Sequence, residues 1–287
     1  MKNTEKKDED LVKIVQPLVD WYRENKRDLP WRHNPDAYRV WISEIMLQQT
    51  RVEAVKGYYD RFLKALPTVK DLAEAEEDKL LKLWEGLGYY NRVRNMQKAA
   101  QQIMVDHEGI FPDTYEEILQ LKGIGNYTAG AISAFAYGIP KPAVDGNVLR
   151  VIYRITGSYE DIMKQSVRKK IENTLEQVIP SDAASDFNQG LIELGAIVCV
   201  PNGEPKCEEC PVKEYCIACK ENLTTEIPVK KKAKARKIEE RTILIFKDGK
   251  RIAIRKRPAK GLLAGLYEFP NVEGKLSMDE VTEYSKI

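Results

Sequence analysis

Apolar residues recur at helical spacing along most of this chain. Leu11, Ile14, Val15, Leu18, Val19 and Tyr22 fall three or four positions apart, which places them on one helical face. Asp28-Leu-Pro-Trp-Arg32 interrupts that run. The same periodicity predicts helices over 41–48, 51–66, 77–84, 91–107, 126–137, 146–156, 166–178 and 181–198. Shorter helices follow Thr68 (to 75) and Thr114 (115–120), with each threonine as N-cap. Pro67, Gly86-Leu-Gly88, Gly109, Gly138-Ile-Pro-Lys-Pro142 and Pro180 punctuate the series. No strand alternation precedes residue 240, so the first 220 residues are expected to be all-α.

The texture changes at Arg241. Two β-rich runs, 242–246 and 251–254, flank Lys247-Asp-Gly-Lys250, and an Asp-Gly at such a junction predicts a hairpin. An irregular apolar stretch (262–270) and one more helix (277–284) follow. The basic run 230–237 between the two textures reads as a linker.

Composition changes this picture little. The chain has 43% hydrophobic and 31% charged residues with a net charge of +2, as for a soluble globular protein. Its N-terminal tail is charged and has no apolar signal core, so a cytoplasmic, nucleoid-associated location is expected. Cysteine usage is more telling. All five cysteines lie between Cys199 and Cys219, in the order Cys199-x7-Cys207-x2-Cys210-x5-Cys216, with Cys219 after them. Thiols packed so closely, with none elsewhere, are distributed as metal ligands. The spacing fits an iron–sulfur cluster, or a zinc site of two knuckles, Cys207/Cys210 and Cys216/Cys219.

The stretch 121–147 carries the densest chemistry. Gly123-Ile-Gly125 sits between two predicted helices, and glycines there permit a tight turn with positive φ. Backbone N–H groups at the start of the following helix can hold a phosphate without side-chain charge. Glu44 is the one acid in an otherwise uncharged ten-residue stretch, 41–50. In an apolar cleft its pKa rises, which suits a general acid. Asp145, between two helices, is placed to N-cap the second, with Asn147 on its first turn. Gln48, Gln49, Tyr89 and Tyr90 lie beside turns and could replace a base in a stack. His33 and His107 are far apart and pair with no nucleophile, which disfavours serine- or cysteine-type hydrolysis.

Four stretches in order resemble the helix-hairpin-helix family of DNA base-excision glycosylases: Ser43-Glu-Ile-Met-Leu-Gln-Gln-Thr-Arg51, Leu121-Lys-Gly-Ile-Gly-Asn-Tyr-Thr-Ala-Gly130, Val144-Asp-Gly-Asn-Val148, and the cysteines. The endonuclease III branch of that family carries a Schiff-base lysine in the hairpin helix. Tyr127 occupies that slot here, and Lys122 precedes the turn. Together with Glu44, Leu29-Pro-Trp-Arg32 and Trp84-Glu-Gly-Leu-Gly-Tyr-Tyr90, this is similar to the MutY-type adenine branch. Arg255-Lys-Arg257 and the 261–270 stretch resemble the start of that branch's Nudix-like domain.

The resemblance implies a mainly α fold with an N-terminal helix (1–28) packed on the cluster domain. It further implies a six-helix domain (29–137), a cluster domain (138–228), a linker (229–240) and a partial C-terminal α/β domain (241–287). It implies a monomer that removes adenine mispaired with 8-oxoguanine or guanine from double-stranded DNA. Glu44 is then the acid, Asp145 stabilises the sugar cation, and Tyr127 and Asn147 position Asp145 and the water. Gln49 and Tyr89 wedge into the duplex, and Leu121, Gly123, Gly125, Thr128, Arg27 and Arg32 contact the backbone. A [4Fe–4S] cluster is implied on Cys199, Cys207, Cys210 and Cys216. The first cysteine spacing exceeds the family's usual six by one, which the loop 200–206 can absorb, and Cys219 stands as a substitute ligand. The alternatives are a bifunctional glycosylase/lyase and a non-catalytic DNA-binding module.

Overall fold

A computed structural model describes residues 11–231, 237–258 and 260–284. The charged tail (1–10) and the centre of the basic run (232–236) lie outside the described residues. The chain divides into two units, Met1–Lys231 and Lys232–Ile287.

The first unit is helical throughout: α1 (Val15–Asn25), α2 (Ala37–Leu47), α3 (Val52–Ala65), α4 (Val69–Glu74), α5 (Glu77–Trp84), α6 (Asn91–Asp106), α7 (Tyr115–Gln120), α8 (Asn126–Tyr137), α9 (Gly146–Ile155), α10 (Gln165–Glu176), α11 (Ala184–Ile197) and α12 (Ile217–Lys220). Predicted and observed ends agree within a few residues because the ends are encoded locally. Thr68 accepts from Asp71 N–H, and the Asp71 carboxylate accepts from Thr68 N–H in return, a complete capping box. Thr114 caps α7 in the same sense, accepting from Glu117 N–H.

Two apolar cores form. One gathers Trp31, Trp41, Ile42, Met46, Phe62, Trp84, Val93 and Ile103 from α2 to α8. The other gathers Leu18 and Val19 of α1 with Val148, Ile152, Leu175, Phe187 and Leu191 of α9 to α11. Each buried side chain of this size contributes about 1.5–3 kcal/mol. The chain thus leaves the second core after α1, builds the first, and returns at Val144.

Helix α8 joins the two cores. It packs on α2 and on α11, and residues Thr128 to Ala134 are all buried. A helix covered on several sides must be uncharged all round, and Asn126–Tyr137 is. Small residues also let neighbours approach closely. A Cβ on Gly130 would lie 2.0 Å from the carbonyl oxygen of Pro142, so only glycine lets that backbone cross the helix.

The second unit contains β1 (Arg241–Ile243), β2 (Lys247–Asp248), β3 (Arg251–Ile252), β4 (Arg255–Lys256), β5 (Tyr267–Glu268), β6 (Asn271–Glu273) and α13 (Met278–Tyr284). The Asp-Gly hairpin forms as expected, with Lys247 opposite Ile252 and Asp248 opposite Arg251. The strand predicted over 242–246 does not pair along its length within that hairpin. Its first half, β1, lies antiparallel to β6, with Thr242 opposite Val272. β4 pairs with β5. Among the described residues of this unit, only Leu244 and Asn271 are buried.

Candidate active site

The Glu44-bearing face of α2, the start of α8 and the start of α9 converge on one cleft of about 580 Å³. Glu44, Tyr127, Asp145 and Asn147 line it, with Trp31, Gln48, Gln49, Arg168 and Gln189 around them. The five cysteines lie elsewhere, around a separate cavity with Arg154 and Thr224.

Glu44 is 6% exposed, because α2 buries every residue from Val40 to Met46. Tyr127 Oη donates to its Oε2 at 2.5 Å. Burial pushes the Glu44 carboxyl up to about 7; the Asp145 charge adds to this, while Tyr127 and Arg32 offset part of it. Burial, then the charges of Glu44 and Asp145, hold the Tyr127 phenol far above its ordinary range, so it stays a donor.

Asp145 caps α9. Its Oδ1 accepts from Asn147 N–H and Val148 N–H, both at 2.8 Å, and its Oδ2 accepts from the Asn147 amide at 2.7 Å. Burial raises this carboxyl too, opposed by those donors and by Arg150. Asn147 is itself held, since its Oδ1 accepts from Arg150 at 2.8 Å. Arg150 also donates to the Gly195 and Cys199 carbonyls. Tyr127 and Asn147 were both expected beside Asp145. Only Asn147 bonds to it; Tyr127 bonds to Glu44.

Gly123 takes φ +80°, and a Cβ there would meet Asn95 Cβ at 2.7 Å. Gly125 does not share that conformation. It is extended at φ −112°, with open space around it, and serves as N-cap of α8. The first hydrogen bond of the helix ladder is Ala129 N–H to Gly125 O, so the amides of residues 126–128 precede the ladder, the arrangement by which a helix start can hold an anion. The Leu121 and Thr128 side chains, expected on DNA, are buried at 2% and 3% exposure; only their backbone can serve a grip.

Arg27 and Arg32 line the cleft as well, and each is held by an ion pair. Both turn inward onto Glu193 of α11: Arg27 Nε and Nη2 donate at 2.7 and 3.0 Å, and Arg32 Nη2 at 2.8 Å. Burial would raise the Glu193 carboxyl, but the bonds from Arg27 and Arg32 outweigh it and hold it at about 2. An acid with no exposed side chain requires such partners. Glu193 carries the same signal that marked Glu44, a lone acid in an apolar helical run, and was passed over.

Gln49 (φ 60°) and Tyr89 (φ 47°) both occupy the left-handed region, unusual for residues other than glycine. Tyr89 is 69% exposed. Arg92, not singled out in the sequence, lies between the loops that carry them. Among the described residues no lysine lines the cleft, and Lys122 is exposed at the hairpin turn.

Among the described residues, no three His, Cys, Asp or Glu side chains are grouped as a ready metal cage. Cys199, Cys207, Cys210, Cys216 and Cys219 nonetheless line one small cavity, with the Arg154 guanidinium 3.3 Å from Cys199 Sγ. A set of soft thiols around a cationic donor matches the chemistry of an anionic iron–sulfur cluster. No helix among the described residues is long and apolar enough to cross a membrane.

Residues 42–179 match the family described as HhH-GPD superfamily base excision DNA repair protein. An adenine DNA glycosylase of Buchnera aphidicola from Acyrthosiphon pisum is 39% identical over 263 residues, covering 91% of this chain and 74% of that protein. The human adenine DNA glycosylase is 35% identical, covering 89% of this chain and 56% of its own length. Among solved structures, a thermostable thymine-DNA glycosylase superposes with a TM-score of 0.67 at 30% identity, covering 76% of this chain and 99% of that one. A non-covalent endonuclease III–DNA complex gives a TM-score of 0.64 at 22% identity over 75% of this chain and 98% of that one, a likeness of fold.

Proposed function

The chain belongs to the HhH-GPD superfamily of base excision DNA repair proteins, among its adenine DNA glycosylases, and we propose that it removes adenine from mispairs with 8-oxoguanine or guanine in double-stranded DNA. The observation that carries this reading is the buried Glu44 and the half-buried Asp145 on one cleft, with a phenol rather than an amine beside them.

The amides at the start of α8 grip the backbone, and the adenine leaves the stack for the cleft. Tyr127 donates to Glu44 Oε2, which leaves Oε1 to carry the proton. Glu44 delivers that proton to adenine N7 as the N9–C1′ bond breaks and its electron pair leaves with the base. The sugar gains oxocarbenium character, and Asp145, whose three N–H donors favour its charged form against burial, stabilises it. Water adds to C1′ and returns its proton to Glu44. The products are adenine and an intact abasic strand. The absence of a lysine from the cleft favours this over the lyase alternative, which needs an amine for the Schiff base.

For the cysteine cavity we propose a [4Fe–4S] cluster held by Cys199, Cys207, Cys210 and Cys216, with Cys219 as a fifth thiol beside them. Its role there is structural: four protein ligands staple the 199–219 loop onto the second core.

The test is single-turnover cleavage of an A:8-oxoguanine duplex. Glu44→Gln should lower the rate by about 10²–10⁴ with nearly unchanged binding. Near-native turnover by this variant sinks the assignment.

A further inference from the structure

We infer that Arg92 is the positioning residue that makes Gln49 and Tyr89 a single rigid wedge. The inference rests on the proposed role of those two residues in opening the duplex.

Gln49 follows the C-terminus of α2, and Tyr89 follows the Gly86–Gly88 turn; 39 residues separate them in sequence. Arg92, on the first turn of α6, reaches both segments with one guanidinium. Its Nη1 donates to the carbonyls of Ile45 and Gln48, each at 2.6 Å, which closes the end of α2 just before Gln49. Its Nη2 donates to the carbonyls of Leu87 at 3.0 Å and Gly88 at 3.3 Å, just before Tyr89. The guanidinium also lies 5.7 Å from the Tyr89 ring centre and 5.3 Å from the buried Trp84 ring. Trp84 Nε1 donates to the Gly88 carbonyl from the other side, at 3.0 Å.

Both prongs hold positive φ, a strained conformation that persists only where surroundings impose it. Arg92 supplies that imposition, because it bonds the carbonyl of the residue immediately before each prong. Nε is buried without a partner, so the group tolerates desolvation in exchange for its grip on five backbone carbonyls, that of Met46 (3.4 Å) among them. No carboxylate bonds to this guanidinium in the structure; its bonds are all to backbone. Lysine cannot reproduce this role: an ammonium is a point donor and cannot span two loops in a fork.

The experiment compares two duplexes. One carries adenine in a mispair; the other carries it in a single-nucleotide bulge, already unstacked. Arg92→Lys should lower the single-turnover rate on the mispair by about 10–100-fold. It should leave the rate on the bulge nearly unchanged. With 2-aminopurine at the target position of the mispair, the variant should bind without the fluorescence rise that flipping gives. Circular dichroism and melting confirm that the variant is folded. A native-like rate on the mispair, or an equal loss on both duplexes, overturns the inference. Gln49→Ala and Tyr89→Ala run alongside. If neither slows the mispair, the wedge reading itself fails; if both do and Arg92→Lys does not, only the role of Arg92 fails.

Discussion

Glu44 exists in two protonation states that the fold weighs differently. Its carboxyl is raised to about 7 by burial, so the folded chain holds a proton that the unfolded chain would release above about 4.5. Stability is therefore lost as pH rises through that window. Glu44→Gln removes the penalty, and its melting temperature should exceed that of the native chain by more at pH 8 than at pH 5. The gain at pH 8 should be about 1–3 kcal/mol by denaturant titration. Catalysis should fall in the same direction: the single-turnover rate falls tenfold per unit above about pH 7, and a flat profile from 6 to 9 removes Glu44 from the acid role. From sequence alone Glu44 was ambiguous, because an acid on an apolar run has the same spacing whether it faces solvent or a cleft. The packing of α2 under α8 decides, and that contact is not local. The ion pairs of Arg27 and Arg32 are hidden for the same reason: nothing near them in sequence announces Glu193, more than 150 residues later. Positive φ at Gln49 and Tyr89 also left no sequence mark, since neither is a residue type that seeks it.

Helices α7 and α8 were readable almost to the residue, because capping threonines and glycines are local signals. What they could not reveal is which glycine is needed for what. Gly123→Ala meets both a positive φ and Asn95, at the outer turn. It should weaken DNA binding and cost about 1–2 kcal/mol of stability, with the rate at saturating enzyme largely kept. Gly130→Ala pushes a methyl into the Pro142 carbonyl, on the segment that leads to Asp145. That variant should lose single-turnover rate even at saturation, as well as stability. Identical kinetic signatures for the two substitutions would contradict this division of labour. The β-hairpin illustrates the limit of such reading: Asp248-Gly249 fixed a turn, but the partner of β1 is set by residues 271–273, beyond reach of any turn signal.

At the scale of the molecule, the first unit holds both cores, the cleft and the cysteines, while the second buries little of its own. A chain ended at Lys231 should keep the main melting transition and remove adenine opposite guanine. Failure of that shortened chain to fold would assign the second unit a stabilising share that its sparse burial does not suggest. The crossing of the chain between cores, with α1 in one and α2 in the other, was not legible from periodicity, which locates helices but not their partners. The separation of thiols from carboxylates was readable only as an expectation of the family resemblance.

The gripping amides at 126–128 and the Tyr127 phenol belong to one rigid helix turn. With a rise of about 1.5 Å per residue, their separation cannot stretch. On the proposed function the two make a fixed ruler, which gauges the length of sugar–phosphate between the held phosphate and the flipped base. A strand whose spacing is lengthened there, by a single extra methylene in the backbone, presents the right base at the wrong mark. It should bind and go uncut.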